Sequence, residues 1–112
     1  MLERNMLFER KPKAIDFVKA SAEVWDVSVA EMTAEFKDDG LVVARQTAIY
    51  LIRTVLGKGF NIIGRLLNRD HSTIIYHYEV ARSKIKNDEY FAVQTWRAHD
   101  LAYEMTNGVN HE

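Results

Sequence analysis

Arg69-Asp70-His71-Ser72-Thr73 places five hydrogen-bonding side chains in a single turn. The residues after them change character: Ile74, Ile75, Tyr78, Ala81 and Ile85 recur at helical spacing. The pattern reads as a helix with a polar tip and an apolar stripe. Asp70 is placed to cap it, because a short carboxylate just before the first turn can accept from its free N–H groups. Those N–H groups and the positive end of the helix dipole also favour phosphate oxygens. Aspartate can accept from cytosine N4, serine and threonine can bond several bases, and a threonine methyl can touch the thymine methyl. Arginine can bind guanine or phosphate. The chemistry on offer is recognition of duplex DNA. A plainer reading makes Asp70 a cap, Ser72 and Thr73 ordinary first-turn residues, and His71 exposed.

The elements that must position this tip are helical. Pro12 is the one proline and turn signals are few, so the chain reads as all-α, with about six helices. Pro12 can sit in the first turn of a helix carrying Ile15, Val18, Ala22 and Trp25 as one buried stripe. Ser28 and Glu31 form a capping-box signature for a short helix that holds Met32 and ends near Phe36. Lys37-Asp38-Asp39-Gly40 reads as a loop. A long helix follows from about Leu41 to Leu56, with Ala44, Ala48, Leu51, Ile52 and Val55 inward and Gly57 as its left-handed stop. Next comes a short helix within "FNIIGRLLN", with Asn61 as its candidate cap and Asn68-Arg69 as the turn. The helix from Asp70 runs to about Lys86, and a last one from Asp88 to Met105. A short helix, a tight turn and a second helix make a helix-turn-helix, whose second helix enters the major groove N-terminal end first.

Composition agrees with a binder of polyanions. The net charge of -1 hides an asymmetry: Leu41 to Asn87 carries eight basic residues against Asp70 and Glu79, a balance of +6, and the remainder carries -7. A basic centre between acidic ends is the footprint of nucleic-acid binding. The 112 residues suit one domain with a real core. With no cysteine, disulfides and thiolate metal sites are excluded, and no long apolar run suggests a signal peptide or membrane helix. The expectation is a cytoplasmic, nucleoid-associated protein.

"ARQTAIYLIR", "IIGRLLNRDHSTIIYH" and the spacing between them resemble the C-terminal DNA-binding domain of DnaA, the bacterial replication initiator. The resemblance covers about Trp25 to Lys86, and "RDHST" is its most specific part. It implies an all-helical domain, with a helix-turn-helix in a TrpR-like fold, that binds short duplex sites called DnaA boxes. It also implies base contacts from Asp70, His71, Ser72 and Thr73 in the major groove. Arg45, Gln46, Arg53 and Arg69 correspond to phosphate contacts that set register without reading sequence. Where the family has an arginine entering the minor groove, the candidate here is Lys37.

Three departures stand beside the likeness. The loop before the long helix is arginine-rich in the family and reads "FKDDGLVVAR" here, so Asp38 and Asp39 would repel phosphate. Every phosphate left without a cationic partner flattens the salt dependence by about 0.9. The helix-helix turn is one residue shorter, with Asn68 where a glycine pair is usual. Tyr76-His77 replaces the usual His-Ala after the apolar pair.

Other chemistry has less support. His71 and His77 lie six apart, off one helix face, so no metal site is expected. No P-loop motif is present, so neither a nucleotide cofactor nor ATPase activity is expected, and the chain reads as a stand-alone DnaA-related protein rather than an enzyme. Trp25 and Trp96 read as packing residues. On the last helix Phe91, Ala98, Leu101, Ala102 and Met105 make one stripe, with Tyr90, Trp96 and Tyr103 off it. A helix apolar on more than one side suits a second surface: a self-dimer or the replication initiator. The leading expectation is sequence-specific binding of double-stranded DNA that modulates replication initiation or transcription. The alternative is a protein-interaction module with little DNA affinity.

Overall fold

The computed structural model describes residues 10–35 and 38–108. Among them are six helices and no strand: α1 Ala14–Val24, α2 Val29–Thr33, α3 Asp39–Leu56, α4 Phe60–Leu67, α5 His71–Asn87 and α6 Glu89–Thr106. The all-helical reading holds. α3 is the hub, packed against each of the other five helices, while α1 and α6 lie against one another on one side of it. α4 and α5 pack on each other as the helix-turn-helix, and α5 also packs against α6.

Local chemistry fixes most of the helix ends. Ser28 Oγ accepts from Glu31 N–H at 3.0 Å, and Glu31 Oε1 accepts from Ser28 N–H at 2.9 Å, so the capping box closes. Gly57 stops α3 at φ 66°. Asp88 caps α6, accepting from Phe91 N–H at 3.1 Å.

Several expectations about ends shift by a few residues. α1 begins after Lys13, so Pro12 stands outside its first turn and is buried there. The short helix ends at Thr33, and Phe36 and Lys37 lie outside the described residues. Asp38, Asp39 and Gly40 are not loop: Asp38 accepts from Leu41 N–H at 3.2 Å as the N-cap, and Asp39 opens the first turn of α3. Carboxylates at a helix start meet its free N–H groups and positive dipole end, which explains this acidic pair. Asn61 does not cap α4, because the helix already begins at Phe60 with Gly59 as N-cap.

The core joins Phe17 and Val18 of α1, Met32 of α2, Ala48, Leu51 and Ile52 of α3, Ile63 and Leu67 of α4, Ile74 of α5, and Ala98 and Ala102 of α6. The α1 stripe is therefore turned from the expected one: Phe17 is buried and Ile15 is exposed. On α5, Ile74 and Ala81 are buried and Tyr78 packs against the core, whereas Ile75 is exposed. On α6, Phe91 is buried and Met105 is exposed. Trp25 is half-buried; its Nε1–H donates to Thr47 Oγ at 2.9 Å, and Thr47 meets Thr95 Oγ at 3.1 Å. This chain of polar contacts ties the end of α1 to α3 and α6.

Candidate nucleic-acid interface

The turn between α4 and α5 is held by backbone bonds. Asn68 takes the left-handed conformation at φ 60°, ψ 47°. Arg69 N–H then donates to Gly64 O at 2.8 Å, and Asn68 N–H to Arg65 O at 3.4 Å. This is the Schellman pairing that ends a helix sharply, with asparagine in the place glycine usually takes. Gly64 is required by close approach: a Cβ there would run into the Arg69 carbonyl oxygen.

Asp70 then starts α5. Its Oδ1 accepts from Thr73 N–H at 2.9 Å and from Ser72 Oγ at 2.8 Å. The backbone bond from Thr73, with the hydroxyl bond from Ser72 next, holds the Asp70 carboxyl below its ordinary value. A depressed carboxylate contributes stability above its ordinary range and loses it as pH falls through the folded value. Protection of the Thr73 amide, measured against its intrinsic exchange rate, is therefore expected to fall on acidification below about pH 4, before that of amides in the middle of α5, and hydrogen-exchange NMR reads this.

Asp70, His71 and Ser72 are exposed and Thr73 is half-buried. Ile75 and Tyr76 continue the same open face, with Tyr76 64% exposed. The four expected base-reading residues thus form the N-cap and first turn of α5, three of them exposed. Ser72, bonded through its hydrogen to Asp70, keeps an oxygen able to accept.

The expected phosphate contacts have different surroundings. Arg45 is 4% exposed. Its Nε donates to Met32 O at 2.8 Å, and its Nη2 donates to Glu31 O and Ala34 O, both at 3.0 Å. The guanidinium gathers carbonyls at and just beyond the C-terminus of α2, adding to the bond Glu31 O already takes from Ala34 N–H. Arg69 reaches the same Ala34 oxygen and also donates to Asn68 O at 3.0 Å. Burial, then the neighbouring Arg69 charge, lowers the Arg45 pKa, with Asp38 acting against them. Gln46 is 2% exposed and bonded inside the protein to His77 and Lys84. Arg45 and Gln46, expected as phosphate contacts, thus have polar atoms engaged within the fold. Arg53 donates to Lys58 O at 2.9 Å and lies 4.2 Å from the centre of the Phe60 ring, bracing the α3–α4 turn. Lys37 is outside the described residues.

A cleft of about 430 Å³ separates α3 from the start of α5, with Arg45, Arg69, Thr73 and His77 among its lining residues. Sequence reasoning leaves His77 open as either a DNA contact or bare surface. Its spacing from Ile74, Ala81 and Lys84 is the available signal, since these fall on one stripe of α5. Among the described residues no group of histidine, aspartate or glutamate is placed to hold a metal ion. No helix there is long and apolar enough to cross a membrane.

A helix-turn-helix with an exposed polar start to its second helix is the architecture of a DNA-binding domain. Residues 16–80 match the family described as "bacterial dnaA protein helix-turn-helix", and the chain belongs to that family. The match begins earlier than the likeness read from sequence and stops short of Lys86. Among its relatives is the chromosomal replication initiator protein DnaA 2 of Chlamydia pneumoniae, 32% identical over 72 residues, 64% of this chain and 16% of the relative. The initiator DnaA of Lactococcus lactis subsp. cremoris is 32% identical over 68 residues, 60% of this chain and 15% of that protein. The DnaA 2 of Chlamydia trachomatis serovar D is 26% identical over 80 residues, 71% of this chain and 18% of its own length. The chain thus spans roughly a sixth of the relatives it matches.

Proposed function

We propose that this protein binds double-stranded DNA sequence-specifically at DnaA-box-like sites and so modulates replication initiation or transcription, without ATPase activity. The observation that carries this reading is the capped start of α5, which exposes His71 and Ser72 with Thr73 half-exposed beside them. Asp70 holds that start rigid through its two bonds and can present its carboxylate to a cytosine amino group. Arg69 and Arg53 reach phosphate with whatever guanidinium edges their carbonyl bonds leave, and Arg45 and Gln46 serve by holding α2 and α5 in place. Exposed Lys58 and Arg65 add to the basic face. Lys37 is the proposed minor-groove residue. DNA of the nucleoid is the partner, which places the protein in the cytoplasm.

Fluorescence anisotropy against a DnaA-box duplex and a scrambled duplex, across a salt series, tests the reading. The intact chain is expected to prefer the box. A His71→Ala, Thr73→Ala double variant is expected to lose at least about thirtyfold of that preference, at about 1 kcal/mol or more for each base contact. Equal, steeply salt-dependent binding to both duplexes would mean a binder of backbone alone.

A second reading has its own observation. Tyr90, Val93 and Trp96 lie along α6 and are 67%, 49% and 44% exposed. This face suits contact with a second copy or with the replication initiator, so a protein-interaction role stands beside DNA binding. Light scattering after size exclusion reads self-association, and a strict monomer at high concentration removes the dimer.

A further inference from the structure

Three side chains form a polar chain between α3 and α5. Lys84 Nζ donates to Gln46 Oε1 at 2.8 Å. An ammonium can only donate, so this bond fixes which end of the Gln46 amide faces which way. Its Nε2 must then face His77, and lies 2.9 Å from His77 Nδ1. An amide nitrogen donates, so His77 Nδ1 must be unprotonated and accept. The polarity runs from Lys84 through Gln46 to His77.

From these bonds we infer that Gln46 and His77 are positioning residues that seat α5 on α3, and that protonating His77 unseats the start of α5 and lowers discrimination between DNA sequences. Protonated Nδ1–H would set two donors against each other across the same short contact. It would also add a positive charge where Arg45 of α3, Arg69 of the turn and Lys84 of α5 already act on the ring. Tyr76 presents its ring edge to His77 at 5.2 Å between centroids and offers no counter-charge. Thr73, one turn before His77 on the same helix, lines the same cleft. A shift of the ring therefore acts directly beneath the base-reading turn.

The pKa agrees in direction. Burial first, then Arg45, Arg69 and Lys84, lower His77 below the ordinary imidazole value of 6.5. A histidine depressed in the fold contributes stability above its ordinary value, and that stability is lost as pH falls through the folded value. The network is thus intact at neutral pH and strained once the pH falls through the lowered His77 midpoint.

The DNA part of this inference rests on the proposed function, so the test has one arm without DNA. In NMR of the free chain, His77 is expected as the Nε2–H tautomer with a midpoint below the ordinary one. Amides of residues 71–73 should shift with that same midpoint. Amides that ignore the His77 titration would overturn the inference whether or not the protein binds DNA.

In the DNA arm, box preference is compared at about pH 7.5 and at a pH below the His77 midpoint read in the NMR arm. The intact chain is expected to lose about tenfold of its preference in acid, the size of one net hydrogen bond. His77→Gln, whose side-chain carbonyl can accept from Gln46 without titrating, should keep the preference at both pH values. Gln46→Glu, whose carboxylate accepts from protonated His77, should retain more of its preference in acid than at neutral pH. If His77 instead touched DNA, acid would tighten binding to both duplexes through that residue and steepen the salt dependence by about 0.9. His77→Gln would then abolish that gain, and the positioning role would fail. A variant whose amide spectrum is no longer dispersed is replaced by the other in the comparison.

Discussion

Arg45→Ala is expected to lower the stability of the fold by about 3 kcal/mol, whatever it does to DNA binding. Hydrogen bonds to a charged group contribute roughly 1.5–3 kcal/mol each, and they are not additive. Arg45 makes such bonds to Met32 O, Glu31 O and Ala34 O from a position 4% exposed. Removing it leaves the buried Met32 O without its donor and thins the bonding at Glu31 O and Ala34 O, which keep only the Ala34 N–H and Arg69. Arg45→Lys should rescue little, because a single ammonium cannot span acceptors that a planar fork meets together. Urea unfolding followed by tryptophan fluorescence measures this, since Trp25 lies half-buried against Thr47 of α3. A purely phosphate-contacting Arg45 would give the opposite result, with unchanged unfolding and weaker DNA binding.

Gly64→Ala is the second large effect, at about 1–3 kcal/mol, the usual cost of forcing an extra methyl into a tight site. The new Cβ would meet the Arg69 carbonyl oxygen, which is backbone and cannot swing aside. Relief requires opening the turn, which weakens the bond from Arg69 N–H to Gly64 O and moves Asp70 away from its place at the head of α5. Box preference should fall together with stability. Gly40→Ala is the matched control: its Cβ would come no nearer than 3.5 Å to Asp38 Oδ1, in the first turn of α3. That change should be neutral or stabilise by up to about 1 kcal/mol, because alanine loses less backbone freedom in a helix. Both are read from the urea midpoint. Equal unfolding of the two variants would show that the close approach at Gly64 costs nothing.

Much of the candidate site was legible in the sequence because it is local. A capping residue and the N–H groups it serves lie within three positions, so the Asp70 cap and the Ser28–Glu31 box could be read directly, while Asp88, read as the first residue of the last helix, is its cap. Helix stops at Gly57 and Asn68 follow from left-handed backbone, which glycine and asparagine accept with least strain. Apolar spacing placed the helices, and the helix-turn-helix followed from their order. The same rules misled where two local signals compete. Asp38-Asp39-Gly40 has the composition of a loop and the chemistry of a helix start, and the cap bond to Leu41 decided for the helix.

What the sequence by itself determined is the all-helical build and the polar tip of α5, since both depend on neighbours a few residues away. Which arginine faces outward was decided only by tertiary structure. Arg45 lies in α3 and Arg69 in the turn before α5, yet they converge on Ala34 O from 11 and 35 positions away. Gln46, 31 positions from His77, finds its partner only because α3 and α5 pack together. A side chain long enough to reach either solvent or a buried carbonyl follows the nearer unsatisfied acceptor. Where that acceptor lies is a property of the packed helices, not of the spacing.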